Sequence, residues 1–153
     1  QVERLMQERV TPALAGAADQ VSDYANRAVL YARELAQGAG AAHIHLLNVQ
    51  TPVQGRAGLS RLITQDMIDE FYAREGEEAM EEARKLLDVT GTAYTRHVAF
   101  GHVASEIAGY ARDHRCERIV MGTRGNGALA NILIGSAANQ VLQLADAPVT
   151  LIK

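Results

Sequence analysis

The sequence predicts an α/β domain, with parallel strands joined by helices that cover both faces of one sheet. Three observations carry that prediction. Amphipathic helical stretches alternate with short strand-forming runs from residue 22 to the C-terminus. The runs HIHLLNV (43–49) and RIVM (118–121) are apolar enough to read as strands buried in a sheet. A length of 153 residues, 48% of them hydrophobic, suits one domain, and no linker, repeat or low-complexity tract divides it. Residues 1–153 are therefore read as a single domain.

Each element follows from local pattern. Residues 22–37 predict a helix, because Ala25, Ala28, Val29, Ala32, Leu35 and Ala36 recur at three- and four-residue spacing. Ser22 suits its N-cap, and Gly38 suits a left-handed residue after its end. Strand 43–49 follows. Pro52, Gly55 and Gly58 mark a loop. Ser60 then opens a long helical stretch to about Leu87, with Ile63, Met67 and Phe71 on one face and a bend expected at Gly76. Residues 92–99 alternate and carry Arg96 and His97, which fits an edge strand. Residues 103–112 predict a helix with Val103, Ile107, Tyr110 and Ala111 inward. RIVM is the next strand. Ser136 begins a helix with Ala137, Val141 and Leu144 on one face, Pro148 stops it, and VTLIK (149–153) is the last strand. A central strand must precede the first helix, and Val10–Ala18 is the segment available. Pro12 and Gly16 make it a degraded strand, and residues 1–20 are a degraded strand or an extension.

Composition excludes several classes. A net charge of −3 does not suit a basic nucleic-acid-binding surface. The 125–145 stretch is uncharged but too polar to cross a bilayer, and QVERLMQERV lacks the apolar run of a secretory signal. Cys116 is the one cysteine, so no intrachain disulfide forms. A cytoplasmic protein is expected.

The segment after RIVM carries the chemistry. It reads Gly-x2-Gly-x9-Gly-Ser from Gly122 to Ser136. Gly122 and Gly125 leave backbone amides open to a close-approaching anion. Gly135 and Ser136 stand where a helix begins, and there free amides and the helix dipole favour phosphate. The Ser136 hydroxyl adds a donor, and Arg124 and Asn126 have the reach to meet an outer phosphate.

At these residues the sequence resembles the universal stress protein family, whose ATP-binding members carry Gly-x2-Gly-x9-Gly-Ser/Thr at this place. The resemblance runs from about Ser22 to Lys153 through NRAVLYARELA, HLLNV, GHVASEIAGYA, RIVMGTRG and ADAPVTLIK. It implies an open five-stranded parallel sheet in the order 3-2-1-4-5, a Rossmann-like fold of the adenine nucleotide α-hydrolase kind. It also implies a homodimer joined along 149–153, an exposed edge physically suited to pairing. The implied ligand is ATP, ADP or AMP, with Mg²⁺ left open. By the same resemblance Gly122, Gly125, Gly135 and Ser136 contact phosphates and ribose, and Ala137 supplies a backbone amide. Val49 reads adenine through its backbone, and Met121 lines the pocket. The family's Asp at the end of strand 1 falls on Gln20 here, with Asp19 one residue early. His102-Val103 stands where the family often has a proline, and Ala137 replaces a common valine.

Other constellations are weaker. His43 and His45 face one side of a strand, but no Asp, Cys or further His has matching local spacing, so no metal site is expected. His97, His102 and His114 are isolated in sequence. Cys116 reads as a buried structural thiol. EGEEAMEE (75–82), followed by Arg84-Lys85, reads as a solvated helix face with i,i+4 pairs. No Walker-type lysine, HExxH, GxSxG or triad is present, so ATP turnover is expected to be slow at most. Three readings stay open: a nucleotide-binding regulatory module of stress response with an unknown protein partner, a dimerisation protein with a decayed site, and an enzyme related to adenine-nucleotide α-hydrolases or amide-forming synthetases.

Overall fold

The computed structural model of the chain describes residues 10–13, 23–39, 42–51, 63–123 and 134–153. In chain order they form β1 (Val10–Ala13), α1 (Asp23–Gly38), β2 (His43–Gln50), α2 (Gln65–Ala79) and α3 (Glu81–Asp88). Then come β3 (Tyr94–Phe100), α4 (Val103–Asp113), β4 (Ile119–Gly122), α5 (Ser136–Leu144) and β5 (Val149–Ile152). The strands pair in parallel in the order β3-β2-β1-β4-β5. Ala13 is level with Leu46 on one side and with Val120 on the other. The degraded first strand is thus present over Val10–Ala13, and the remainder of that segment lies outside the described residues.

The sheet divides the core in two because successive strand residues face opposite ways. Ile44 and Leu46 of β2 pack with Val29 and Ala32 of α1 and with Leu87 of α3. Leu47 and Val49 pack on the other side with Ile107 and Ala111 of α4 and Val141 of α5. Seven consecutive residues of β2, Ile44–Gln50, are buried, as expected for an inner strand. Complete burial of a side chain such as Ile44 or Leu87 is worth roughly 1.5–3 kcal/mol.

Several expectations are corrected. The long helix does not bend at Gly76. It breaks at Met80 into α2 and α3, with Met80 buried and at φ −91°, ψ −5°. Gly76 is glycine because the helix lies close on the sheet: a Cβ there would stand 2.5 Å from Val98 Cγ1 and 3.2 Å from Asn48 Oδ1. α2 is capped by Thr64, whose side chain accepts from the Met67 amide at 3.3 Å, while Ser60 lies outside the described residues. The face shared by Ile63, Met67 and Phe71 is exposed. Gly38 is the last residue of α1 and not a left-handed cap, because the helical bond from the Ala39 amide to the Leu35 carbonyl continues past it. Ser22 lies outside the described residues. In the acidic run the described pairs are i,i+3, Glu81 with Arg84 and Glu82 with Lys85, while Glu77 reaches across to Arg96.

α4 ends in two reverse bonds, from the Cys116 amide to the Ala111 carbonyl at 2.8 Å and from the Arg115 amide to the Arg112 carbonyl at 3.1 Å. Arg115 sits at φ 51°, the left-handed position that glycine usually fills in this motif. Among the described residues no helix is long and apolar enough to cross a membrane.

Candidate functional site

At the carboxyl end of the sheet, β4 ends with Met121 buried and Gly122 half-buried, level with Ile152 of β5. The Thr123 amide donates to the Ile152 carbonyl at 2.9 Å, which holds the chain against the sheet one residue past the strand. The Gly135 amide donates to the Thr123 carbonyl at 2.7 Å. The segment that leaves at Thr123 therefore returns to the same point, and α5 opens beside the exit of β4. The β4 exit and the opening of α5 are the two parts that the glycine spacing predicts.

The opening turn of α5 is suited to an anion. Gly135 is the N-cap, at φ −69°, ψ 161°, and among the described residues no side chain caps the turn. The Asn139 amide bonds to the Gly135 carbonyl at 3.1 Å, so the amides of Ser136, Ala137 and Ala138 precede the first intrahelical bond. They carry the positive end of the helix dipole. Ser136 is exposed, Ala137 half-buried and Ala138 buried.

Thr123 is only 6% exposed, and its Oγ1 is buried with no hydrogen-bond partner among the described residues. Gln50, at the end of β2, is likewise buried: its Nε2 donates to Asn48 Oδ1 at 2.7 Å, while its Oε1 has no partner among the described residues. Unmet buried polar atoms are uncommon and costly, and these two stand at the strand exits where ligands bind in open α/β sheets. The amides of the α5 opening and the Thr123 hydroxyl are donors that suit a phosphate oxygen, whereas Gln50 Oε1 only accepts and suits a donor group.

Val49 and Met121 belong to one apolar cluster with Ala99, Ile107 and Ala138. Their side chains serve the core, and each stands one residue before the end of its strand, Val49 level with Ala99 and Met121 level with Leu151. Asp19, Arg124, Gly125 and Asn126 lie outside the described residues.

A second constellation was not legible in the sequence. Three histidines that are scattered along the chain, His45, His97 and His114, converge on Tyr110, and His43 joins them through His45. His45 Nδ1 lies 2.7 Å from Tyr110 Oη. The His114 ring stacks on Tyr110, centroids 3.8 Å apart and planes at 17°. His97 stacks on Tyr110 at 5.1 Å, and His43 meets the His45 ring edge-on at 5.2 Å. His97 and His114, taken as isolated, are thus part of a cluster, while His102 stands apart with Ser105. The available signals were the i,i+4 spacing of Tyr110 and His114 and the alternation that puts His43 and His45 on one face. Burial, followed by the charges of His43 and His114, pushes His45 down to about 4. Burial likewise pushes the Cys116 thiol up to about 11, so it is neutral and unreactive. Among the described residues no group of three His, Cys, Asp or Glu is placed to hold a metal ion.

Comparison with known proteins places these features in a group. The model of the universal stress protein family matches residues 16–153. Universal stress protein G of Shigella flexneri is 30% identical over 134 residues, 86% of this chain and 90% of that protein. A universal stress protein of Methanocaldococcus jannaschii is 34% identical over 88 residues, 58% of this chain and 52% of its own length, so the match spans about half of that relative. Among solved structures, the universal stress protein from Archaeoglobus fulgidus in complex with dAMP has a TM-score of 0.67 at 23% identity, over 95% of this chain and 99% of that one. A universal stress protein in complex with cAMP has a TM-score of 0.63 at 16% identity, over 94% and 97%. At these identities the structural likeness establishes a shared α/β fold.

Proposed function

The chain belongs to the universal stress protein family, and from that premise we propose that it is a cytoplasmic stress-response module that binds an adenine nucleotide and acts as a homodimer through residues 149–153. The observation that carries this reading is the uncapped opening of α5 drawn up beside the exit of β4 by the Gly135–Thr123 bond. The relatives solved with dAMP and cAMP support the adenine nucleotide as its occupant.

In this reading the amides of Ser136 and Ala137 and the Ser136 hydroxyl hold phosphate oxygens. Gly122, Gly125 and Gly135 keep Cβ atoms out of the way, and Arg124 and Asn126 close over the outer phosphates. Met121 and Val49 border the base, which the Val49 backbone reads, and Asp19 takes the part of the family's strand 1 acid. Each hydrogen bond from a backbone amide to a charged oxygen is worth about 1.5–3 kcal/mol. ATP, ADP and AMP all present the α-phosphate that such a cradle grips, and Mg²⁺ would accompany the longer polyphosphates. Binding rather than turnover is the activity, with slow ATP hydrolysis at most. The alternative, a dimerisation protein with a decayed site, is favoured by Gln20 at the position of the strand 1 acid.

Calorimetry with AMP, cAMP and ATP, together with mass analysis of nucleotide released by heating the purified protein, tests the proposal. Gly135→Val is expected to weaken binding at least ~10-fold, about 1.4 kcal/mol, and Ser136→Ala roughly 3–10-fold. Equal affinity in wild type and both variants removes the cradle from the site. No released nucleotide and no binding in wild type supports the decayed-site reading.

A further inference from the structure

The histidine cluster lies at the opposite end of β2 from the proposed nucleotide site and is not used by it. We propose that His43, His45, His97 and His114, gathered around Tyr110, form an acid-operated latch that holds the last turn of α4 against β2 and β3 and releases it as the cluster takes up protons.

The geometry supplies the latch. α4 is fastened along its length by Ala104, Ile107 and Ala111, which share a core cluster with Cys116 just past its end. Its last turn has a further tie: Tyr110 is only half-buried, and its phenol pairs with His45 Nδ1 at 2.7 Å. His114 lies on the Tyr110 ring, 5.2 Å from His45, and its Nδ1 bonds the Tyr110 carbonyl at 2.9 Å. A carbonyl only accepts, so His114 carries its proton on Nδ1. The fastening of this turn to the sheet thus joins the buried Ala111 and Cys116 to a polar and aromatic contact through Tyr110, His45 and His114.

The charges around His45 decide the direction. β2 presents His43, β3 presents His97, and α4 presents Tyr110 and His114. The turn beyond α4 presents the neutral Cys116 thiol. β1 places Pro12 level with His45 and brings no titratable group. The carboxylates of Glu106 and Asp113 stand farther out, beside a cleft of about 390 Å³ lined also by His97, Tyr110 and His114. Every titratable group packed around the His45 ring is neutral or becomes positive in acid. A proton added to His45, 9% exposed, makes both ring nitrogens donors, so the phenol can then meet Nδ1 only as an acceptor. The new charge also meets those of His43 and His114. Opening the turn hydrates the His45 ring and so relieves the cost of burying its charge. The strained Arg115 conformation, next in the chain, relaxes in the same step.

Amide hydrogen exchange on the full chain, corrected for intrinsic rates, tests this at about pH 7 and about pH 5, together with an NMR titration of the histidine rings. Exchange at residues 111–116 is expected to rise at least ~10-fold in acid relative to α5 in wild type. His45→Gln, which keeps a hydrogen-bonding partner for Tyr110 without titrating near neutrality, is expected to reduce that rise below ~2-fold. His102→Gln, outside the cluster, is expected to retain it. If His45→Gln does not fold, Tyr110→Phe takes its place and is expected to show the open level of exchange already at neutral pH. Constant protection of 111–116 in wild type overturns the proposal. So does a rise shared equally by α1 and α5, and so does an undiminished response in His45→Gln.

Discussion

The two ends of the sheet handle polar chemistry in opposite ways. At the exit of β4 the working groups are main-chain amides, exposed because side chains are small or absent at Gly122, Gly135 and Ala137. At the start of β2 the working groups are rings, packed so that each depends on its neighbour. Amides at a helix opening keep their donors at any pH, because the helix itself leaves them unpaired. Imidazoles keep their roles only while their protonation holds. The first arrangement suits permanent capture of an anion, the second a response to conditions.

Three measurements break or sharpen that contrast. The largest effect is expected where the structure depends on a missing side chain. Gly76→Ala drives a Cβ to 2.5 Å from Val98 and is expected to cost about 1–3 kcal/mol, read as a lower urea midpoint. An unchanged midpoint means that Val98 turns aside freely and that the close approach of α2 is not required.

The next effect belongs to the rings. His45 is held at about 4 in the folded chain, below its ordinary value of 6.5. Between those values the unfolded chain binds more protons, so stability is full above about pH 6.5 and is lost as pH falls toward 4. Partial solvent access to the ring limits the loss to on the order of 1–2 kcal/mol. Urea midpoints measured at steps across this window are expected to fall in wild type and to flatten in His45→Gln. Parallel curves for the two proteins would place the acid sensitivity elsewhere.

The smallest effect is a gain. Arg115→Gly puts the residue suited to φ 51° at the end of α4 and is expected to add about 1 kcal/mol. No gain would show that the arginine side chain compensates for its backbone.

What the sequence revealed divides along the same line. β2 and β4 were legible because their apolar runs are contiguous, and α1 because its alanines keep helical spacing. The glycine pattern was legible because its parts lie within fifteen residues of each other and spacing in sequence maps onto the turn. β1 was hard to place, since its four residues include Pro12, and only the need for a central strand argued for it. The break at Met80 was hidden because methionine is an ordinary helix former, whereas Gly76 drew attention for propensity and turned out to serve packing. Of the histidine cluster only two local pairs were legible, His43 with His45 and Tyr110 with His114, and not their meeting. His45 and Tyr110 are 65 residues apart, and only the register of β2 with β3 and the placement of α4 bring them together.

The bond from the Gly135 amide to the Thr123 carbonyl closes a ring whose two stems are fixed independently, one by the sheet and one by a helix. Within such a closed ring, chain length is nearly free: doubling it adds only about 0.6 kcal/mol of closure entropy. The segment between these stems can therefore change in length at little cost to strand or helix.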